Sequence, residues 1–174
     1  RLNRQNANIR GQVVYNVTSL RNNPLGFRDS LSQFLYSKPA LLPTMTWLDN
    51  VAPNAPSSLS VSQSGIGFFD LLWTNPSTST NELDKVKRIA IYRSTSPVVD
   101  ISNSDNLLAI TWNDTTGYRD NTVQQGTSYY YVVTALDRHQ NESAASNTAS
   151  LTALPLQLVN FAVKRTNEAS IQLN

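Results

Sequence analysis

The apolar positions change period once along the chain. Between Asn23 and Tyr36 the residues Phe27, Leu31, Phe34 and Leu35 recur at helical spacing, with Arg28, Asp29, Ser32 and Gln33 on the opposite face. Asn23 suits a cap and Pro24 the first helical position, so a helix is predicted over Pro24–Tyr36. Lys38-Pro39 stops it, because a residue before proline is pushed out of the α region. Ahead of it, the β-branched run Gln12–Val17 after Gly11 predicts one strand. Such a strand-helix unit cannot bury both of its faces; it either packs on the rest of the chain, through Phe27, Leu31, Phe34 and Trp47, or belongs to something larger.

Val51-Ala52-Pro53-Asn54-Ala55-Pro56 is a proline-punctuated linker that favours extended backbone. Beyond it the helical period gives way to short strands, predicted over Ser58–Ser62, Gly67–Trp73, Val86–Arg93, Leu107–Trp112, Ser128–Leu136 and Ser146–Thr152. Turn-rich gaps such as Asn75-Pro76-Ser77 and Gln125-Gly126 separate them, which argues for a mainly β chain folded as an antiparallel sandwich. In the Ser128–Leu136 run, Tyr129, Tyr131, Val133 and Ala135 share one face and Tyr130, Val132, Thr134 and Leu136 the other. Two apolar faces mark a central strand. Phe69 and Trp73 share a strand face and are assigned to the core, which turns Phe68 the other way. Leu154-Pro155 punctuates again, and Leu158–Val163 and Ser170–Leu173 predict two further strands. The chain thus divides into 1–53, 54–153 and 154–174, and the natural protein is expected to extend past both ends.

Length and charge narrow the class. The 174 residues are too few for an eight-fold α/β barrel, which takes about 250. A net charge of +2 excludes a strongly basic nucleic-acid binder, and Lys85-Val86-Lys87-Arg88 reads as a solvated strand end without interleaved aromatics for bases. No nucleic-acid partner is expected. Cysteine is absent, so this is not a disulfide-stapled module, and no apolar run approaches the roughly 20 residues needed for a membrane span. Charged residues make up 15%, below the roughly 25% usual for soluble domains, with Ser, Thr and Asn in their place. That composition suits a β-rich protein that is secreted or held at the cell surface.

The candidate chemistry is sparse. A glycosidase holds two carboxyl groups about 5 or about 6.5–9.5 Å apart across a sugar. Here Asp100, Asp105, Asp114 and Asp120 are assigned to turns and only Glu82, Glu142 and Glu168 are glutamates, so no catalytic residue is expected in this chain. His139, between Arg138 and Gln140, reads as a solvated turn histidine. Asp137, Asn141 and Glu142 crowd the same turn and offer oxygen ligands to a hard cation, but Asp and Asn also bond their own backbone in turns; no metal and no cofactor are expected. Exposed aromatics that can stack on a sugar ring are the remaining option. Among Trp47, Phe68, Phe69, Trp112, Tyr118 and Tyr130, several are claimed by packing, and Trp112 and Tyr118 are the best candidates for substrate contact.

Three resemblances join these observations. Ala55-Pro56, Trp73, Ile91-Tyr92-Arg93 and Gly126-Thr127-Ser128-Tyr129-Tyr130-Tyr131-Val132 resemble a fibronectin type III domain in order and spacing. The resemblance implies that Trp73 fills the space between two sheets and that Tyr129 forms the tyrosine corner. Gly11-Gln12-Val13-Val14-Tyr15 with Leu41-Leu42-Pro43 and Trp47-Leu48 resembles the last strand, helix and exit segment of the glycoside-hydrolase-like family 10 barrel. In that family the barrel often leads through a proline-rich joint into a fibronectin-like domain. This implies a neighbouring catalytic barrel, a polysaccharide partner, and Tyr15 and Asn16 at the C-terminal end of a barrel strand, where substrate is bordered. Leu154–Phe161 with Ala169–Asn174 is similar to the opening of a β-domain found near the C-termini of proteins exported by type IX secretion. The expectation is a non-catalytic accessory or spacer module, or else a carbohydrate- or protein-binding sandwich, told apart by an exposed row of aromatics around Trp112 and Tyr118.

Overall fold

A computed structural model of the protein describes residues 17–154. Residues 12–16 of the strand predicted over Gln12–Val17, with the candidates Tyr15 and Asn16, and the strands predicted after Leu154 lie outside the described residues. Seven strands form two antiparallel sheets: β1 (Ser57–Gly65), β2 (Phe68–Thr74), β3 (Arg88–Ser94), β4 (Leu107–Trp112), β5 (Gly117–Asp120), β6 (Ser128–Leu136) and β7 (Ala149–Thr152). One sheet has the order β1-β2-β5 and the other β4-β3-β6-β7. The result is the fibronectin type III-like sandwich that the sequence resembles.

The inner faces make the core. Leu59, Phe69, Leu71 and Trp73 meet Ile89, Ile91, Tyr129, Tyr131, Val133 and Ala135 across the interface. Phe69 stands edge-on to Tyr129 and Tyr131, at ring centroid distances of 6.2 and 6.3 Å. Phe68 faces outward, as expected, under the Arg119 guanidinium at 4.1 Å. β6 is central, and its second face is buried too: Val132 and Leu136 join Ala90, Tyr92 and Leu107 in a separate outer cluster. Between β1 and β2 the chain reverses through Ile66 and Gly67, because Gly65 already pairs with Phe68. Gly67 sits there at φ 82, a conformation that costs little only without a Cβ.

Tyr129 makes the expected corner: its hydroxyl accepts the Gln124 backbone N–H at 3.1 Å, holding down the loop before β6. Tyr129→Phe should therefore lower unfolding free energy by about 1 kcal/mol, read from the shift in urea midpoint, and leave the fold unchanged. An unshifted midpoint would show that the loop does not need this bond.

Three sequence readings change. The last strand, predicted from Ser146, begins at Ala149. Before it the chain still runs beside β6, but serine hydroxyls replace backbone ladder acceptors: Ser143 takes the Ala135 N–H and Ser146 the Val133 N–H. β5 lies where no strand is predicted; Asp120, assigned to a turn, instead ends this strand and is wholly buried. The third change is at the helix. Val17, read as strand, opens α1 (Val17–Asn22), and the segment Pro24–Tyr36 is broken: a 3-10 turn at Pro24–Gly26, α2 (Phe27–Ser30) and a π-helical turn at Leu31–Leu35. Asn23 precedes the 3-10 turn and Gly26 stands at the N-cap of α2, but the Asn23 side chain reaches past the turn to the first residues of α2. Its oxygen accepts the Arg28 N–H at 2.8 Å, and its amide donates to Asp29 at 2.8 Å.

The N-terminal segment reaches the sandwich by a route the apolar pattern did not indicate. Phe34 and Trp47, expected as contacts, are 74% and 77% exposed. Contact runs through a strap, residues 38–51, extended except for a turn at residues 46–48 and laid along the outer face of the four-stranded sheet. Leu41 packs with the outer cluster, Lys38 pairs with Asp105 at 2.7 Å, and the Met45 N–H bonds the His139 carbonyl at 3.0 Å.

Candidate functional site

Trp112 and Tyr118 were singled out together, and the fold separates them. Trp112 ends β4 at the edge of the four-stranded sheet and pairs in register with Arg88. The residue is 64% exposed, and the centre of its ring lies 4.7 Å from the Arg88 guanidinium. One ring face therefore has a cationic neighbour, a geometry that holds an indole upright at a surface. Tyr118 lies in β5 on the other sheet, and its ring packs partly against the core. Burial, and next to it the Asp120 carboxylate, raise its phenol above the ordinary range. The two rings form no common row.

The crowded turn after β6 behaves as a turn in two of its three oxygen-bearing residues. The Asp137 carboxylate accepts the N–H groups of His139 at 2.7 Å and Asn141 at 2.9 Å, closing the reversal on itself. Glu142 turns away and accepts from Tyr92 at 2.6 Å and Thr134 at 2.7 Å on the outer sheet face. Burial first, then the Glu142 carboxylate, push the Tyr92 phenol far up, so it stays a donor at any ordinary pH. His139 departs from its solvated reading: its ring is half-buried and Nδ1 sits 3.9 Å from Asp49 Oδ2. Asp49 belongs to the strap, and the Asn141 side-chain amide donates to its carbonyl at 3.1 Å. Sequence gave no sign of this meeting, since Asp49 and Asn141 are far apart along the chain and neither lies in a periodic element.

These carboxylates are not arranged as a glycosidase pair. Asp137 is wholly buried and accepts from the N–H groups of its own turn, so it is out of reach of a sugar. The strap does present something else. While Leu41 faces the sandwich, Leu42, Trp47, Leu48 and Val51 are all more than half exposed, and farther upstream so are Val17, Leu25, Phe34 and Tyr36. Large apolar side chains are thus concentrated at the surface of one segment.

No family model matches the chain. Over 147 residues it is 38% identical to the glycosyl hydrolase YngK of Bacillus subtilis (strain 168), covering 83% of this chain and 28% of that protein. The chain therefore spans little more than a quarter of that relative. The matched share is larger than the sandwich and everything after it can supply, so the likeness takes in part of the N-terminal segment as well. Among solved structures, an Fn3-like protein from Clostridium thermocellum is similar with a TM-score of 0.46 and 26% identity, over 62% of this chain and 99% of that one. A β-1,2-glucanase from Parabacteroides distasonis is similar with a TM-score of 0.47 and 27% identity, over 68% of this chain and 14% of that one.

Proposed function

We propose that this chain is a non-catalytic accessory and spacer module from the C-terminal region of a secreted or cell-surface glycoside hydrolase acting on polysaccharide. Residues 1–53 then end the catalytic barrel, of the family 10-like kind, and residues 154–174 open a further β-domain of the type IX secretion-associated kind. The observation that carries this reading is the two-sided strap. One side is fixed to the sandwich, and the other offers Leu42, Trp47, Leu48 and Val51 to a neighbour. Likeness to a glycosyl hydrolase more than three times as long as the matched region supports a catalytic domain as that neighbour. The sandwich holds it at a set distance from whatever follows.

The test is the intact mass and N-terminal sequence of the protein as its native source makes it, with both that protein and this chain assayed for reducing-sugar release from a polysaccharide panel. We expect a much larger native protein that is active and a chain of 174 residues that is not. A native chain beginning at Arg1, or hydrolysis by this chain alone, would overturn the reading. Exposed Trp112, backed by Arg88, favours a second reading as a sugar-binding module. Retardation of the chain in polysaccharide-containing gels, lost in Trp112→Ala, would put that reading in place of the spacer.

A further inference from the structure

From the meeting of strap and turn we infer a divalent-cation site of the zinc class, made by Asp49, Asp137 and His139. One ligand atom from each lies within 4.8 Å of the others. Asp137 is fully buried and the Asp49 side chain is 9% exposed, yet among the described residues neither carboxylate has a Lys or Arg within 4 Å. Buried carboxylates are ordinarily paired with a cation or bound to a metal. The one group near them that can carry positive charge is the His139 imidazole; its backbone N–H is held by Asp137, but its ring Nδ1 is entirely buried and has no hydrogen-bond partner. A buried nitrogen left without a partner is costly, and a missing ion is one of the few explanations for it.

The Asn141 amide currently stands between the two acids. Its Nδ2 donates to Asp137 Oδ2 at 2.8 Å and reaches Asp49 Oδ2 at 3.4 Å. A weakly positive NH2 there partly offsets two negative charges. Rotation of that amide withdraws the donor and brings its oxygen round as a fourth ligand. Imidazole nitrogen, two carboxylates and that amide oxygen make a tetrahedral set, which suits zinc at about 2.0–2.2 Å per bond. The nitrogen counts against calcium, which takes six to eight oxygens. Closing the ligands around zinc needs inward shifts of about 1 Å, which the strap end can supply. Bound there, the ion ties Asp49 of the strap to Asp137 and His139 of the turn and fixes the joint on the sandwich. This inference stands on the joint alone and does not depend on the upstream domain being catalytic.

The experiment uses the full chain without a polyhistidine tag, stripped with a chelator and titrated with ZnCl2 in a calorimeter, alongside thermal unfolding with and without zinc. We expect one equivalent bound and a raised unfolding temperature. His139→Gln and Asp49→Asn should each weaken binding at least about tenfold, while their metal-free unfolding temperatures stay near that of the parent chain. With one histidine and no cysteine in the sequence, no alternative nitrogen or sulfur set exists to rescue binding. Absence of heat and of any thermal shift at about 1 mM zinc would overturn the site, and so would equal binding by the parent and His139→Gln.

Discussion

Replacing Trp73 by alanine is expected to cost about 3–5 kcal/mol, the usual effect of emptying a large aromatic site in a core. Trp73 is 5% exposed on the inner face of β2, among the side chains that join the two sheets. It acts as more than filler. Its indole N–H donates to Asn75 at 2.8 Å, and the Asn75 amide in turn reaches the carbonyls of Asn113 and Thr115, at 2.8 and 3.2 Å. One ring therefore anchors both the sheet interface and the loop from β4 to β5. Against a domain stability of roughly 5–15 kcal/mol, the alanine variant should lose a large part of its margin. Trp73→Phe refills most of the space and drops only the indole bond, so about 1–2 kcal/mol is expected there. Urea unfolding of both variants, followed by far-ultraviolet circular dichroism, checks this. An alanine variant within about 1 kcal/mol of the parent would take Trp73 out of the core.

Much of the sandwich could be read because its residues obey one rule at a time. Leu107–Trp112 and Ser128–Leu136 were bounded by turn residues and filled with β-branched or aromatic side chains, and both stand as predicted. β5 escaped because it has only four residues, and its inward side carries Tyr118 and then Asp120, so its alternation is not one of apolar with polar. The strap escaped for another reason. Its attachment uses the Met45 and Asp49 backbone, one lysine and one leucine, none of which leaves a periodic mark. Conversely, the helical pattern at Phe27, Leu31 and Phe34 suggested a face for the sandwich, whereas Phe34 stays in solvent. Periodicity announces that a face needs a partner without saying which one. The candidate site divided along the same line: an exposed Trp112 was legible from sequence, but the cluster of Asp49, Asp137 and His139 exists only once the strap is laid down.

Asp120→Ala is expected to be as damaging as loss of Trp73, through charge instead of volume. Asp120 ends β5 in the three-stranded sheet, points inward, and is wholly buried. From the opposite sheet Arg93 donates to it at 2.7 Å and the Tyr131 hydroxyl at 2.8 Å, while Thr122 supplies its backbone N–H and hydroxyl at 2.9 and 2.6 Å. Arg93 also lies 4.7 Å from the Tyr129 ring, so the ion pair is set into the aromatic core. Removing one partner of a buried pair costs about 3–5 kcal/mol, because the other is left charged and unanswered. Arg93 keeps some contact with water, which places the expected loss near about 3 kcal/mol, or about 10 °C in unfolding temperature for a chain of this size. Acid supplies an independent check. Burial alone would raise the Asp120 carboxyl, but the bonds from Thr122, Tyr131 and Arg93 outweigh it and hold it below the ordinary range. The unfolded chain then takes up its proton first as pH falls, from about pH 5 downward past the usual carboxylate value near 3.9. Stability from Asp120 is thus complete at neutral pH and lost as pH drops through the lower, folded value. Parent and Asp120→Ala should differ most near pH 7 and draw together toward pH 2. A gap that stays constant over that range would mean that the variant's loss comes from packing and that the carboxylate's charge adds nothing to the clasp between the sheets.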